Sequence, residues 1–314
     1  MKCAVNRPFS DRCRMNGDLV RPKATRKKIK MELTERDLIL ARDMAAFSAA
    51  AYPSSPAGFG AASPLPGREV APIVSGQFSA IVITEKEPSR TTIAVTGTRN
   101  LANFITDARC VQVGMGGTGR IKAHTGFKEG LDALWPLVGK VLKDARTQEL
   151  WLTGHSLGAA IARLILVRLV TNGWPKPTGL VTIGEPRSLN RYGANFLDDM
   201  GVYSMRWVNK LDIVPRVPFL TLLPPRHLFW HCDHSIWITP PSDGLWILRK
   251  ASPGGDLLVD RPWWKKIRQD LRGLRAEYKA RNFDPFVEDH SADRYVAALQ
   301  GISMAPQATR ETKD

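Results

Sequence analysis

Short apolar runs alternate with longer runs of helical periodicity along most of the chain. Runs rich in β-branched and apolar residues predict strands at 78–84, 91–96, 150–153, 180–183, 203–208, 236–238 and 245–248. Apolar residues at helical spacing predict helices at 38–52 (with Thr34 as N-cap), 127–145, 157–170, 190–200, 263–281 and 291–299. Strands that alternate with helices favour an α/β class whose sheet is largely parallel in its middle.

The predicted elements occupy one continuous stretch. A chain of 314 residues is of normal size for one α/β sheet with helices on both faces, so residues 34–302 are predicted to form a single domain. Residues 1–33 are predicted to be a basic, disordered tail, and residues 303–314 a flexible C-terminal tail. The stretch 53–72 is rich in Pro, Gly, Ser and Ala and predicts a loop.

The formal net charge of +15 is concentrated in two segments. Residues 1–30 hold ten Lys and Arg against two Asp, and residues 263–281 hold seven Lys and Arg against two acidic residues. A basic protein raises nucleic acid as a partner, but the rest of this chain is close to neutral. We therefore expect no specific nucleic-acid partner.

The sequence also bears on the protein's location. It contains no run of about 18 uncharged apolar residues, so it predicts no membrane-spanning helix. The first 30 residues lack the apolar core of an ordinary secretory signal, and we expect a cytoplasmic protein or one exported by another route. Four cysteines are too few for a disulfide scaffold in a chain of this length and favour unpaired thiols.

The sharpest chemical signal is the pentapeptide Gly-His-Ser-Leu-Gly at 154–158, which lies between a predicted strand and a predicted helix. A serine hydroxyl is a weak nucleophile unless a base takes its proton and a sharp turn presents its oxygen clear of the sheet. Such a turn leaves no room for side chains two residues before and two after the serine. Ser156 is therefore the predicted nucleophile, and Gly154, His155 and Gly158 complete the predicted nucleophile elbow.

A serine at such an elbow is followed along the chain by an acid and then by a histidine. His290 lies in a loop ahead of a predicted helix and is the candidate base, whereas His231 and His234 are interpreted as structural. Asp212 follows a predicted strand and is the candidate acid that orients the imidazole. The alternative acids are Asp198, Asp199 and Asp233.

The negative charge that develops on a substrate oxygen needs hydrogen-bond donors. The backbone N–H of Leu157, the residue after the nucleophile, is one predicted donor. Thr98, which follows a predicted strand and Gly97, is the other candidate.

A metal centre is not expected from the spacing of the potential ligands. His227, His231, Cys232 and His234 lie close together in the sequence but match no standard zinc pattern. Because serine-based ester hydrolysis needs no metal, the sequence predicts neither a metal nor another cofactor.

These residues and their order resemble the class 3 (fungal-type) lipases. The matching blocks lie at 95–99, 103–107, 124–127, 153–160, 208–215, 231–238 and 290–295. The resemblance implies an α/β-hydrolase fold, with a central, mostly parallel sheet flanked by helices. It also implies carboxylic ester hydrolysis, with Ser156, Asp212 and His290 as the catalytic triad and Thr98 and Leu157 as oxyanion-hole donors.

The sequence departs from the family pattern in two blocks. Val95 and Thr96 stand where the family often has an aromatic residue and an arginine. Asp233 and Ser235 stand where a glycine and an acid are usual. These departures bear on the substrate range more than on the chemistry.

Two segments are candidates for contact with lipid. The block 103–107 resembles the family's short lid helix and the Asp that follows it, and the lid candidate is 100–107, with Leu101, Phe104 and Ile105 as its apolar side. Residues 263–281 place Trp263 and Trp264 ahead of interleaved basic and apolar residues, as in helices that lie on a membrane surface. A helix packed on the body of the protein, with a solvated basic face, is the other interpretation.

The sequence therefore predicts a serine-dependent hydrolase of lipid esters that resembles triacylglycerol lipases. A phospholipase and an acyltransferase with the same triad are alternatives, because only the head group or the acyl acceptor differs. A non-catalytic lipid-binding protein with the same fold is a further alternative, against which the complete set of serine, acid and histidine argues.

Overall fold

The fold is taken from a computed structural model. The described residues are 33–53, 65, 67–98, 111–115, 119–145, 147–209, 212–218, 228–232, 234–239, 247–250 and 289–302.

A single large sheet of eight strands forms the centre of the described structure. Its strands are β1 (Glu69–Ser75), β2 (Phe78–Glu85), β3 (Arg90–Val95), β6 (Glu149–His155), β7 (Gly179–Ile183), β8 (Tyr203–Asn209), β9 (His234–Thr239) and β10 (Ile247–Lys250), in that order across the sheet. The five strands from β3 to β9 run parallel, and antiparallel strands flank them on both sides. A separate two-stranded hairpin is formed by β4 (Gln112–Gly114) and β5 (Lys122–His124).

Helices cover both faces of this sheet. On one face lie α2 (Thr125–Asp144) and α3 (Leu157–Thr171), whose apolar residues pack with Leu152 and Leu180 of the central strands. On the other face lie α1 (Glu35–Ala50) and α5 (Ala292–Gln300), which pack with Val181 and Trp207. A fifth helix, α4 (Arg191–Met200), joins the first of these two cores through Ala194 and Leu197. This is the predicted α/β-hydrolase architecture.

Local sequence accounts for the helix boundaries and the faces of the strands. Thr34 caps α1, because its side chain accepts the N–H of Asp37 while the Asp37 carboxylate accepts the N–H of Thr34. Asn190 caps α4 by accepting the N–H of Gly193. In β6, Leu152 faces α3 whereas Thr153 donates to a backbone carbonyl of α1, as the two-residue period of a strand requires.

The prediction of a loop over 53–72 was wrong at its end, because β1 already begins at Glu69. The composition of this strand is that of a loop, because the strand lies at the edge of the sheet and most of its side chains are not buried. Pro72 is tolerated there, since an edge strand leaves one row of N–H groups unpaired. The short hairpin of β4 and β5 was not predicted either. The last strand begins two residues later than the predicted 245–248.

The parallel arrangement determines where functional side chains can meet. The carboxyl ends of parallel strands share one edge of a sheet, and ligands of open α/β sheets bind outside that edge. Gly97, Ser156, Gly184 and Asp212 follow β3, β6, β7 and β8 respectively, so all four lie at this edge. Among the described helices, none is both long enough and apolar enough to cross a membrane.

Candidate active site

Ser156 occupies the sharp bend that joins β6 to α3. Its backbone has φ 60° and ψ −130°, and among the described residues it is the non-glycine residue with positive φ. L-residues avoid this region because Cβ crowds the backbone. The Ser156 N–H donates to the carbonyl of Ile183 in β7, at 3.0 Å, which holds the bend against the neighbouring strand.

The two glycines of the elbow are required by close backbone contacts. A Cβ atom on Gly158 would lie 2.1 Å from the Val95 carbonyl oxygen of β3, the strand beside β6. A Cβ atom on Gly154 would lie 2.5 Å from the carbonyl carbon of Gly158. Neither neighbour can move, because both are backbone atoms in regular structure, so the pentapeptide spacing follows from the geometry of the bend.

The structure brings His290 and Asp212 into direct contact. Nδ1 of His290 lies 2.9 Å from Oδ1 and 2.8 Å from Oδ2 of Asp212. Asp212 is fully buried, and its carboxylate also accepts the backbone N–H of Val214 at 2.8 Å and the hydroxyl of Tyr295 at 2.6 Å. Three donors therefore fix the orientation of this carboxylate, and the carboxylate in turn fixes the His290 ring.

One side-chain polar atom of Ser156 and one of His290 lack hydrogen-bond partners in the structure. Oγ of Ser156 and Nε2 of His290 are both buried, and neither makes a hydrogen bond. The ring of His155, the neighbour of Ser156, packs against the ring of His290, with 4.5 Å between the two centroids. This contact places His290 beside the bend that carries Ser156. Buried polar atoms without partners are rare in folded proteins and often mark reactive centres.

Gly184 makes room for the side chains of Asp212 and His290. It follows β7, has φ +59°, and a Cβ atom on it would lie 2.9 Å from Oδ2 of Asp212 and 3.1 Å from Cε1 of His290. A larger residue would therefore push into the contact between the two side chains. No sequence motif pointed to this glycine.

Leu157 and Gly97, the residue before Thr98, both lie next to Ser156. Leu157 is the first residue of α3, so its N–H has no partner inside the helix and lies at the positive end of the helix dipole. Gly97, which precedes Thr98, approaches the nucleophile closely, and a Cβ atom on it would lie 3.1 Å from Cβ of Ser156. The loop after β3 thus passes directly beside the bend.

Two tyrosines contribute to the site from distant parts of the chain. The Tyr295 hydroxyl accepts the N–H of Asn209 at 2.8 Å while it donates to Asp212, so it links β8 to the acid. Burial and the neighbouring Asp212 carboxylate raise the pKa of Tyr295 well above its ordinary value, which keeps the hydroxyl protonated. Tyr52, just after α1, contacts His155. Tyr295 lies in the block 290–295, which resembles the class 3 lipases, and no sequence motif points to Tyr52.

The remaining candidates have ordinary surroundings or lie outside the described part of the chain. His231 is buried, and its Nε2 lies 2.7 Å from the Pro215 carbonyl oxygen, as expected of a structural histidine. Asp198 and Asp199 lie on α4, away from the sheet edge that carries Ser156. Within the described ranges, no group of three or more metal-binding side chains occurs. The candidates outside the described residues are Leu101, Phe104, Ile105, His227, Asp233, Trp263, Trp264 and the segment 263–281, for which a helix is predicted.

The central part of the chain is similar to a known protein family. Residues 92–222 match the family model described as Lipase (class 3). This segment contains Gly97, Ser156, Gly184 and Asp212, and ends before His290. This segment of the chain is similar to the class 3 lipases.

Individual relatives are similar to this chain over part of its length. The lipase of Rhizomucor miehei is 31% identical over 157 residues, which cover 48% of this chain and 42% of that protein. The secreted mono- and diacylglycerol lipase 1 of Fusarium solani is 30% identical over 145 residues, which cover 45% of this chain and 43% of that protein. The chain thus spans less than half the length of each of these curated relatives.

Solved structures of fungal lipases share the fold. Lipase II from Rhizopus niveus superimposes with a TM-score of 0.61 and 22% identity, covering 73% of this chain and 91% of that one. A Rhizomucor miehei triacylglyceride lipase gives the same TM-score of 0.61 with 23% identity. The central sheet and its flanking helices are therefore those of the fungal lipases.

Proposed function

We propose that this protein hydrolyses carboxylic esters of lipids through an acyl-enzyme formed on Ser156. The observation that carries the proposal is the difference in hydrogen bonding between the two ring nitrogens of His290. Its Nδ1 is held by Asp212, whereas its Nε2 is buried, unpartnered and beside the elbow that bears Ser156. A general base for a serine requires an imidazole that is held by a hydrogen bond at one ring nitrogen and free to accept a proton at the other.

Acylation follows from these positions. Oγ of Ser156 attacks the ester carbonyl carbon while His290 Nε2 takes the hydroxyl proton, and the resulting imidazolium is stabilised by Asp212. The N–H groups of Leu157 and Thr98 stabilise the oxyanion of the tetrahedral intermediate. When this intermediate collapses, the bond to the alcohol breaks and Nε2 returns the proton to the leaving oxygen.

Deacylation repeats the same steps with water. His290 takes a proton from the water, the hydroxide attacks the acyl carbon of the Ser156 ester, and the proton returns to Ser156 as the acid leaves. The cycle is balanced without any oxidant or metal, so the residues of this chain are sufficient for it.

Acylglycerols are the proposed substrate class. Support comes from the relatives named as mono- and diacylglycerol lipases in Fusarium solani and Penicillium cyclopium. A structural neighbour with a TM-score of 0.61 is described as a triacylglycerol lipase whose catalytic centre is a serine protease triad. In this chain Ser156, His290 and Asp212 are proposed to form the equivalent triad.

The segment 263–281 is proposed to bring the enzyme to lipid surfaces. Its seven basic residues and leading tryptophan pair support this, although it lies outside the described residues. Vesicle flotation tests the electrostatic part: binding to anionic vesicles should exceed binding to neutral ones, and should fall when Lys265 and Lys266 are replaced by glutamine. Equal binding of both proteins to both vesicles contradicts the proposal.

A substrate panel with a matched inactive variant tests the hydrolase assignment. The wild type and Ser156→Ala are compared on p-nitrophenyl butyrate and on emulsions of triolein, diolein, monoolein and phosphatidylcholine. We expect the wild type to release fatty acid from the acylglycerols and Ser156→Ala to be inactive on every substrate. Turnover by Ser156→Ala at the wild-type rate contradicts the mechanism, and release from phosphatidylcholine alone contradicts the substrate class.

A further inference from the structure

A line of hydrogen bonds crosses the carboxyl edge of the sheet beside the triad. The Tyr52 hydroxyl lies 2.8 Å from Nδ1 of His155, and Nε2 of His155 lies 2.5 Å from the backbone carbonyl oxygen of His290. The Tyr52 hydroxyl also forms a hydrogen bond with the backbone N–H of Gly97. The line therefore joins the loop that carries Thr98 to the loop that carries the base.

The direction of each bond follows from its fixed end. A carbonyl oxygen only accepts, so Nε2 of His155 carries the hydrogen and donates to His290. In a neutral imidazole the other nitrogen is then bare, and Nδ1 accepts the hydrogen of the Tyr52 hydroxyl. The Tyr52 oxygen in turn accepts the N–H of Gly97. Each group therefore donates to the next one in the order Gly97, Tyr52, His155, His290.

The environment keeps His155 in this neutral form. Its side chain is buried, and its ring lies against those of His290 and Tyr295. Burial, followed by the charge of His290, holds the pKa of His155 well below its ordinary value. A neutral His155 can stack on His290 throughout the reaction without repelling the imidazolium that forms there.

The approach of Gly97 to Tyr52 is close enough to exclude a side chain. A Cβ atom on Gly97 would lie 2.0 Å from the Tyr52 hydroxyl oxygen and 2.7 Å from the carbonyl oxygen of His155. Tyr52 thus touches the peptide that leads directly into Thr98. Catalytic groups must be held within about 0.5 Å of the productive geometry by such surrounding contacts.

We propose that Tyr52 and His155 are positioning residues that set the oxyanion loop at Gly97–Thr98 and the backbone of His290 relative to each other. The inference rests on the hydrolase function proposed above. It assigns to Tyr52 an effect on turnover rather than on substrate binding, because Tyr52 acts through the peptides at 97 and 290.

The central test compares Tyr52→Phe with Tyr203→Phe. Both changes remove one phenolic hydroxyl, but the Tyr203 hydroxyl donates to Asp37 near the start of β8, at the opposite edge of the sheet. For Tyr52→Phe we expect kcat on p-nitrophenyl butyrate to fall by about tenfold to a hundredfold, since misplacement by about 1 Å costs that much. KM should change less than about twofold, and Tyr203→Phe should keep the wild-type kcat within about twofold.

A double-mutant cycle tests whether Tyr52 acts through His155. His155→Phe keeps a ring against His290 but loses both hydrogen bonds. If the two residues form one line, the kcat loss of the double variant Tyr52→Phe/His155→Phe is smaller than the product of the two single losses. A loss equal to that product overturns the connection between them.

The outcomes separate this inference from the proposed function. A wild-type protein that neither hydrolyses esters nor reacts with a fluorophosphonate contradicts the function itself. An active wild type with Tyr52→Phe indistinguishable from Tyr203→Phe overturns the positioning role alone. If Tyr52→Phe does not fold, as judged by its melting curve, His155→Phe decides, because wild-type kcat in that variant also overturns the proposal.

Discussion

Nδ1 of His290 lies 2.8 Å from Oδ2 of Asp212, although 78 positions separate the two residues along the chain. Their contact depends on Gly184, above which both side chains meet, and on Tyr295 and Val214, which donate to the same carboxylate. The Asp212 carboxylate and the His290 ring are therefore held in contact by residues from several distant parts of the sequence.

Replacing the acid with its amide should abolish most of the activity without unfolding the protein. In Asp212→Asn, one of the two oxygens becomes an NH2 group, which must face a donor because all of the hydrogen-bond partners of Asp212 are donors. We expect kcat to fall by about 10⁴-fold, the loss seen for this change in a serine protease. Asp199→Asn, an exposed change on α4, is the control and should stay within about twofold of wild type. A loss below about tenfold in Asp212→Asn would argue against its role.

The backbone conformation of Ser156 should lower the free energy of unfolding of the protein. Ser156 is held at φ 60°, where a non-glycine residue costs about 1–3 kcal/mol, whereas glycine adopts this region freely. We expect Ser156→Gly to be more stable than Ser156→Ala by about 1 kcal/mol in urea unfolding, after the greater freedom of glycine in the unfolded chain is subtracted. Both variants lack the hydroxyl, so their difference isolates the backbone. A glycine variant less stable than the alanine variant contradicts the strained bend.

Acid should destabilise the fold in part through His155. Its folded-state pKa is lowered well below the ordinary value, so the unfolded chain binds a proton that the folded chain does not. The stabilisation is fully present above a pH of about 6.5 and is lost as the pH falls toward the folded pKa, by up to about 1.4 kcal/mol per pH unit. Urea unfolding between pH 7 and 5 should therefore show a steeper loss for the wild type than for His155→Phe. Parallel curves would contradict a buried, neutral His155.

A buried ion pair beside the site should be costly to break. Arg163 of α3 donates to both carboxylate oxygens of Glu185, at 3.0 and 2.8 Å, and both side chains are almost fully buried. Arg163→Met leaves Glu185 with Thr182 as a remaining donor, and we expect a loss of about 3–5 kcal/mol in the free energy of unfolding. The double change Arg163→Met/Glu185→Leu should restore part of it, because no buried charge is left alone. A single variant that loses less than about 1 kcal/mol contradicts this expectation.

The parts of the fold that depend on short-range pattern were predictable. The bend at Ser156 is specified within five residues, because close backbone contacts leave no room for a side chain at either of its two glycines. Strands β2 at Phe78–Glu85 and β7 at Gly179–Ile183 are largely buried and rich in apolar and β-branched residues, and both lie within one residue of their predicted limits.

The parts that depend on tertiary packing were not predictable. The edge strand β1 carries Pro72 and mostly unburied side chains, so its composition is that of a loop. Tyr52 follows an apolar helix without any motif, and its contact with His155 arises only when α1 packs across the sheet. The pairing of Arg163 with Glu185 likewise needs α3 to lie against the loop after β7.

Reaction with a fluorophosphonate, followed by mass spectrometry of the labelled peptide, tests the central claim most directly, since the reagent attacks a serine that a neighbouring base has activated. The account predicts one label per chain, located on Ser156, and labelling at least about 100-fold slower in His290→Ala. A label on another residue, or an unchanged rate in His290→Ala, would contradict it.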